Sequence, residues 1–253
     1  MADKPTAQWL GERLADRRDL TAAARDAIAA LPFSVRSFEP GQYLLREGDR
    51  PRVCSFLIDG VLYRHKIVGN GGRQIVSIHI ARDFVDGQNI LLTEADHNIQ
   101  ALTEATILAV DSEALLAVAL EHPPIAKALW HESLVEASIV REWVANIGRR
   151  DARARTAHML CELAVRREAA GLGSRESYEL PMTQEQLGDA LGLTSVHVNR
   201  TLKALQAEGA IRRNKRSVGI ADWRTLQQIG DFTSNYLHLR ESGIDFAHVL
   251  LNS

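Results

Sequence analysis

The chain has 253 residues and a formal net charge of −2, with 45% hydrophobic and 25% charged residues; that length suits one large domain or two ordinary ones, with enough apolar material for a core. No apolar run approaches the ~18 residues of a membrane span, and Met1-Ala2-Asp3-Lys4-Pro5 lacks the basic-then-apolar pattern of a signal peptide, so the expected compartment is the cytoplasm, with no membrane partner. Cys54 and Cys161 stand far apart, which excludes the thiolate sets of a structural zinc site or an iron–sulfur cluster; no metal and no cofactor is expected, and both cysteines read as small core residues in preference to redox-sensing thiols.

The first predicted element is an alanine-rich helix from Thr21 to Leu31. From Ser34 to about Val110 short β-type runs follow, at residues 41–45, 55–58, 61–66, 74–80, 99–102 and 106–110. Turn signals separate them at Pro40-Gly41, Gly48-Asp49, Asp59-Gly60, Gly69-Asn70-Gly71-Gly72 and Asp86-Gly87, which predicts an antiparallel sandwich or barrel. No helix follows Gly69 to Gly72, so that stretch reads as a hairpin turn and not a phosphate loop.

From Pro124, suited to a first helical turn, no glycine or proline interrupts the chain until Gly148. Trp130, Ser133, Ala137, Val140, Val144 and Ile147 recur at spacings of three and four, and Leu129, Leu134, Ile139 and Trp143 lie to the side. One stripe can face the β-domain while the first meets a partner helix, which favours a homodimer seam over a single core stripe. Gly148-Arg149-Arg150 reads as a hinge. A helix resumes over 152–169 with Ala157, Leu160, Cys161, Ala164 and Val165 inward, a glycine-bearing loop ends it at 171–174, and 224–237 is helical in pattern. The chain therefore divides into 1–122 (helix and β-domain), 123–148 (long helix and hinge), 149–225 (a basic module) and a helical tail, 226–253.

The segment from Thr183 to Gln206 carries the most specific pattern. Thr183 with Gln186 has capping-box spacing, Leu187 and Leu191 share one face of a first short helix, and Gly192 suits a tight turn of positive φ. Thr194 caps a second helix whose inward stripe is Val198, Leu202 and Leu205. Thr194, Ser195, Val196, His197, Asn199, Arg200 and Lys203 then lie where a recognition helix meets double-stranded DNA. Arg200 can donate a bidentate pair to guanine, and Asn199 can read adenine or bind a phosphate. Residues 211–220 read as a two-stranded wing whose Arg213, Lys215 and Arg216 suit the phosphate backbone. Between Arg149 and Arg224 basic residues outnumber acidic ones, as expected if only the back of the chain meets phosphate.

At these residues the chain resembles the CRP/FNR superfamily, relatives of the cyclic-AMP receptor protein. The resemblance runs from about Phe38 to Leu237, through Phe38-Glu39-Pro40-Gly41, Arg46-Glu47-Gly48-Asp49, Phe56-Leu57-Ile58-Asp59-Gly60 and the Thr183–Leu205 run. The joining stretch, Ile139 to Trp143 and His158 to Leu163, resembles a subgroup common in alphaproteobacteria. The resemblance implies an α+β chain: an antiparallel cyclic-nucleotide-binding-like β-roll, a long dimerisation helix and a carboxy-terminal winged helix-turn-helix. It also implies an inverted-repeat operator and RNA polymerase as a partner.

The cassette departs from the family pattern. Among the effector-pocket candidates Val85, Gly87, Gln88, Asn89, His97 and Asn98, Gln88 stands where the family's ribose-binding glutamate belongs, and His97-Asn98 about where its arginine and hydroxyl residue belong. Without a fixed cation a cyclic phosphate loses its main contacts, so an unknown small-molecule effector other than cyclic AMP is the expectation. The family's oxygen-sensing cysteine cluster is missing, and His65, His79 and His97 read as ordinary polar residues, not haem ligands. Val196 replaces the glutamate with which many members read cytosine, while Arg200 matches their guanine-reading arginine.

A dimeric DNA-binding regulator is the favoured reading; if a ligand acts, it works through a two-state change at the hinge near Gly148, and an apo form already competent for DNA is equally allowed. The alternative is an effector-sensing protein whose main output is protein–protein contact. Catalysis finds no support: His131-Glu132 lacks a second histidine four residues on, and no nucleophile elbow or phosphate loop occurs, so no catalytic residue is named.

Overall fold

The computed structural model describes residues 10, 11, 14, 20–214 and 217–239, without the side chains of Ser177, Glu179, Asn214 and Ser217. Lys215, Arg216 and the end of the tail from 240 lie outside the described residues. Helix α1, Ala22–Ala29, is capped by Thr21, whose Oγ1 accepts from the Ala24 amide.

Seven strands follow: β1 (Phe33–Phe38), β2 (Tyr43–Leu45), β3 (Val53–Asp59), β4 (Val61–Ile67), β5 (Arg73–Ile80), β6 (Asn98–Ala101) and β7 (Ala105–Asp111). They form two antiparallel sheets, β1-β7-β3 and β2-β6-β4-β5. The predicted strands are all present, and Ile67 pairs with Arg73 across the Gly69–Gly72 hairpin. Gly60 holds φ 88°, and a Cβ there would lie 2.2 Å from the Glu104 carbonyl oxygen, so the β3–β4 turn admits only glycine.

Helix α2, Ser112–Glu121, was not legible as a separate element. It is apolar all round, so no stripe marks it, but Asp111 caps it through the Ala114 amide at 2.8 Å. Helix α3, Pro123–Arg149, starts with both prolines in its first turn and runs through Gly148, so within the expected Gly148-Arg149-Arg150 hinge the chain leaves the helix only at the last residue. The break comes at Arg150, which is extended because Asp151 caps α4, Ala152–Ala169, by accepting from the Ala154 amide.

Helix α4 was expected to bury one face; instead every residue from Thr156 to Val165 is buried. The reason is its central place. The short helices of the carboxy-terminal module pack on one side of it, and the outer face of the β4–β5 sheet on the other. Tyr63, Ile75 and Ile78 of the roll share one apolar cluster with Leu160, Leu163 and Leu187. Arg73 Nε donates to Asp189 at 2.7 Å, and Arg166 Nη2 to Asp83 at 2.7 Å and to the Ile78 carbonyl at 3.0 Å, so the modules are locked by charge-assisted bonds as well.

Glu162, wholly buried on α4, is the hub of this junction. It accepts from Trp143 Nε1 (3.1 Å to each oxygen), Tyr236 Oη (2.8 Å) and Arg166 Nη1 (3.3 Å). The tail reaches it because α7, Trp223–Ile229, ends at Gly230, where a Cβ would lie 2.7 Å from the His158 amide nitrogen. The helical reading of 224–237 is thus corrected: one short helix, a glycine crossing against α4, and a 3-10 turn, Asn235–Leu237.

Candidate nucleic-acid interface

Helix α5, Gln184–Leu191, starts with a reciprocal capping box: Thr183 Oγ1 accepts from the Gln186 amide at 3.2 Å, and Gln186 Oε1 from the Thr183 amide at 2.9 Å. Gly192 ends it in the left-handed region at φ 63°, ψ 40°. Gly188 matters as much, although nothing in its local sequence marks it. A Cβ there would lie 2.4 Å from the Leu193 carbonyl oxygen, so glycine lets the turn fold back on the first helix.

Helix α6, Ser195–Ala207, begins at Thr194, whose Oγ1 accepts from the His197 amide at 3.3 Å. Val198, Leu202 and Leu205 are buried as expected, and Thr201 joins them. The opposite face is open. Gln184, Ser195, Val196, Asn199, Arg200 and Lys203 line one groove, and Val196 is 78% exposed. Thr194 is exposed and His197 half-buried. Arg200 and Lys203 engage no partner among the described residues, so their charges face solvent. Gln184 was not among the candidates; it joins because α5 approaches the first turn of α6.

The wing has one strand more than expected. β9 (Ile211–Asn214) pairs with β10 (Ser217–Ile220), which pairs in turn with β8 (Ser177–Glu179). A strand of three residues carries no periodicity to read, but Tyr178 anchors it by donating from Oη to the Leu160 carbonyl at 2.9 Å. Arg213 is half-buried on β9.

The polar effector-pocket candidates are already engaged, Gln88 and His97 with each other and the asparagines with backbone groups. Val85 is fully buried, Gln88 Nε2 lies 3.3 Å from His97 Nε2, and Asn89 donates to the Val53 carbonyl at 3.1 Å. Asn98 accepts from the Glu47 amide, and Gly87 sits under the Phe84 ring, where a Cβ would approach to 2.5 Å. Burial and the nearby Arg64 hold the His97 pKa below the ordinary value, so His97 is no fixed cation at neutral pH. Arg64 itself is committed to Glu136 of α3 and to the Val85 carbonyl. These residues do not fit a cyclic phosphate.

Along α3, Trp130 is 69% exposed, Leu134 54%, Val140 37% and Val144 67%, with Ser133 exposed and Ala137 half-buried beside them. Two positions change sides. Leu134, one turn from Trp130, belongs to the open stripe, and Ile147 turns toward Gly192 of its own chain, its Cγ2 3.6 Å from where a Cβ there would stand. Leu129 and Trp143 face inward as expected. Both cysteines are buried and unpaired, and burial pushes both thiols far up from their ordinary pKa.

Comparison with known proteins agrees with this arrangement. Residues 35–122 match a cyclic nucleotide-binding domain and residues 154–229 a Crp-like helix-turn-helix domain. The transcriptional activator protein FnrL of Cereibacter sphaeroides is 32% identical over 203 residues, 78% of this chain and 80% of its own length. The chain belongs to the CRP/FNR family of transcription regulators. The nitrogen fixation regulation protein FixK of Azorhizobium caulinodans is 28% identical over 68% of this chain and 69% of its own. The fold is that of FixK2 from Bradyrhizobium japonicum, with TM-score 0.73 at 21% identity over 80% of this chain and all of that one. No helix among the described residues is long and apolar enough to cross a membrane.

One buried group of this CRP/FNR chain was missed from sequence because its partner lies across the roll. Asp86, 2% exposed, accepts from the Ser55 amide at 2.5 Å and from Ser55 Oγ at 3.0 Å. Burial pushes its pKa up to about 7, against the lowering effect of those bonds. A carboxyl whose folded pKa is raised binds more protons in the folded state, so its contribution to stability is present below pH ~4 and lost as pH rises toward 7. Asp86→Asn keeps an acceptor for Ser55 without the charge. Its stability relative to the parent is expected to improve across that window by on the order of 4 kcal/mol, read from urea midpoints at pH 4 and pH 7.5. Parallel pH profiles would show that Asp86 is not the titrating group.

Proposed function

We propose that the chain binds an inverted-repeat operator as a homodimer, through the recognition face of α6. The open face of that helix supports the reading most directly: Val196, Asn199, Arg200 and Lys203 stand together on it, and its two cations meet no partner among the described residues. Thr194, Ser195 and His197 lie at the same end, beside the helix N-terminus, which suits phosphate contacts. Arg213 with Lys215 and Arg216 of the wing would add backbone contacts. The seam is assigned to Trp130, Ser133, Leu134, Ala137, Val140 and Val144, which leave a continuous apolar strip on α3. Two copies would set the recognition helices about one DNA turn, roughly 34 Å, apart.

On this reading the division at 1–122, 123–148, 149–225 and 226–253 is kept, with the first boundary of the DNA module moved to the Arg150 break. RNA polymerase is the proposed downstream partner. The effector is a small molecule other than cyclic AMP, because Gln88 and His97 bond each other and leave no cation for a phosphate.

Arg200→Ala is expected to cost about 1–3 kcal/mol of operator affinity and to relax base preference at one position of each half-site. A binding-site selection with both proteins, followed by gel-shift titration, measures it. Unchanged affinity and unchanged preference would remove α6 as the reading helix.

A further inference from the structure

Val196, at 78%, is the most exposed large apolar side chain among the described residues, and beyond α3 no other stands exposed among them. It takes no part in the core of its module. Val198, Leu202 and Leu205 turn inward on the other side of α6, while Val196 lines the open groove with Gln184, Ser195, Asn199, Arg200 and Lys203. A single valine among polar and cationic neighbours is too small a patch for a protein partner. The same neighbours suit the edge of a DNA duplex, so the apolar group that meets Val196 has to come from a base.

In the major groove that group is the C5 methyl of thymine; the readable groups on guanine, adenine and cytosine are donors and acceptors. Valine neither donates nor accepts. A cytosine N4 amino group set against it would lose its water without gaining a partner, so the side chain disfavours cytosine as well as favouring thymine. The β-branched side chain also has one strongly preferred χ1 rotamer in a helix, which holds its methyls in place before DNA arrives. Arg200 lies four residues further on the same face. At 1.5 Å per residue that is about 6 Å along the axis, roughly two base steps of 3.4 Å.

We infer that Val196 selects thymine: in each half-site its side chain packs on the C5 methyl of a thymine within two base steps of the pair that Arg200 reads. This role rests on the operator reading above and adds to it a base, a chemical group and a register. Where many family members read cytosine with a glutamate, this chain reads the same position through an apolar contact.

The test uses the full chain and the operator obtained by binding-site selection. Each thymine within two steps of the Arg200 pair is replaced in turn by deoxyuridine, which removes the methyl and keeps every hydrogen-bonding group. At one of them the parent should lose about 4-fold in affinity per half-site, the equivalent of one methyl-sized group returned to water, and about 16-fold with both half-sites changed. Val196→Ser should bind thymine and deoxyuridine equally, and the exposed position leaves its fold unaltered. Val196→Glu, which supplies an acceptor, should move the selected base at that position from thymine to cytosine. A selected half-site without thymine in that window overturns the role, as does a parent indifferent to deoxyuridine at every such thymine, or an undiminished deoxyuridine loss in Val196→Ser. Arg200→Ala separates this failure from that of the operator reading. If it relaxes one position while deoxyuridine has no effect, only Val196 is misassigned; if it changes nothing, α6 is not the reading helix and both fall.

Discussion

Glu162→Ala is expected to destabilise the chain by about 3–5 kcal/mol, the range for removing one partner of a buried ion pair. The side chain is 1% exposed and Arg166 only 10%, so water cannot readily replace the lost carboxylate. Three donors lose their acceptor at once: Trp143 Nε1 from α3, Tyr236 Oη from the tail, and Arg166 Nη1 from α4 itself. Burial, and then Glu162, pushes the Tyr236 hydroxyl far up from its ordinary pKa, so it remains a donor at any physiological pH. Glu162→Gln keeps one acceptor oxygen for Trp143 and Tyr236 but loses the charge and sets an amide NH2 against Arg166 Nη1, so a loss smaller than that of the alanine variant is expected of it. Urea unfolding at pH 7 measures both. A loss under about 1 kcal/mol for the alanine variant would be that of an ordinary hydrogen bond and would end the account of Glu162 as the hub.

Val144→Lys is expected to leave the fold of one chain intact and to break the assembly. Val144 is 67% exposed in the single chain, so lysine there meets solvent and costs the monomer little. In a two-fold seam between paired helices each copy would bring a charge against the same strip of the other, where it is desolvated and repelled. Sedimentation equilibrium should show the mass falling from dimer to monomer at micromolar protein. Operator affinity should fall by about 100-fold or more, because the two half-sites then no longer reinforce each other. A dimer that persists with unchanged operator affinity would place the seam on another face.

The helix-turn-helix was legible because its determinants are local. Thr183 and Gln186 are three residues apart, and Gly192 and Thr194 bracket one turn, so capping and backbone preference decide these elements before any packing does. The strands were legible for a similar reason, since turn residues punctuate each of them. Elements without local contrast were not: α2 is apolar on every side, and β8 is three residues long. Leu134 was assigned to the wrong stripe because the sequence shows two sets of apolar residues on α3 and not which way the helix is turned against the roll. Trp130, Val140 and Val144 could be grouped from sequence because their spacing places them on one face whichever way the helix is turned, and all three are exposed in the single chain.

What the sequence by itself determined is the order of modules and the helix-turn-helix with Arg200 on the outer face of its second helix. Both follow from residue type and spacing within a few turns of chain. Only the tertiary structure decided that α4 is buried on all sides, that Glu162 holds Trp143, Arg166 and Tyr236 together, and that Gly188 and Gly230 exist for close approach. The physical reason is distance along the chain: Tyr236 and Glu162 are separated by 74 positions, Arg166 and Asp83 by 83. Burial of a charge or access to a cavity depends on what folds over it, and no local pattern records that.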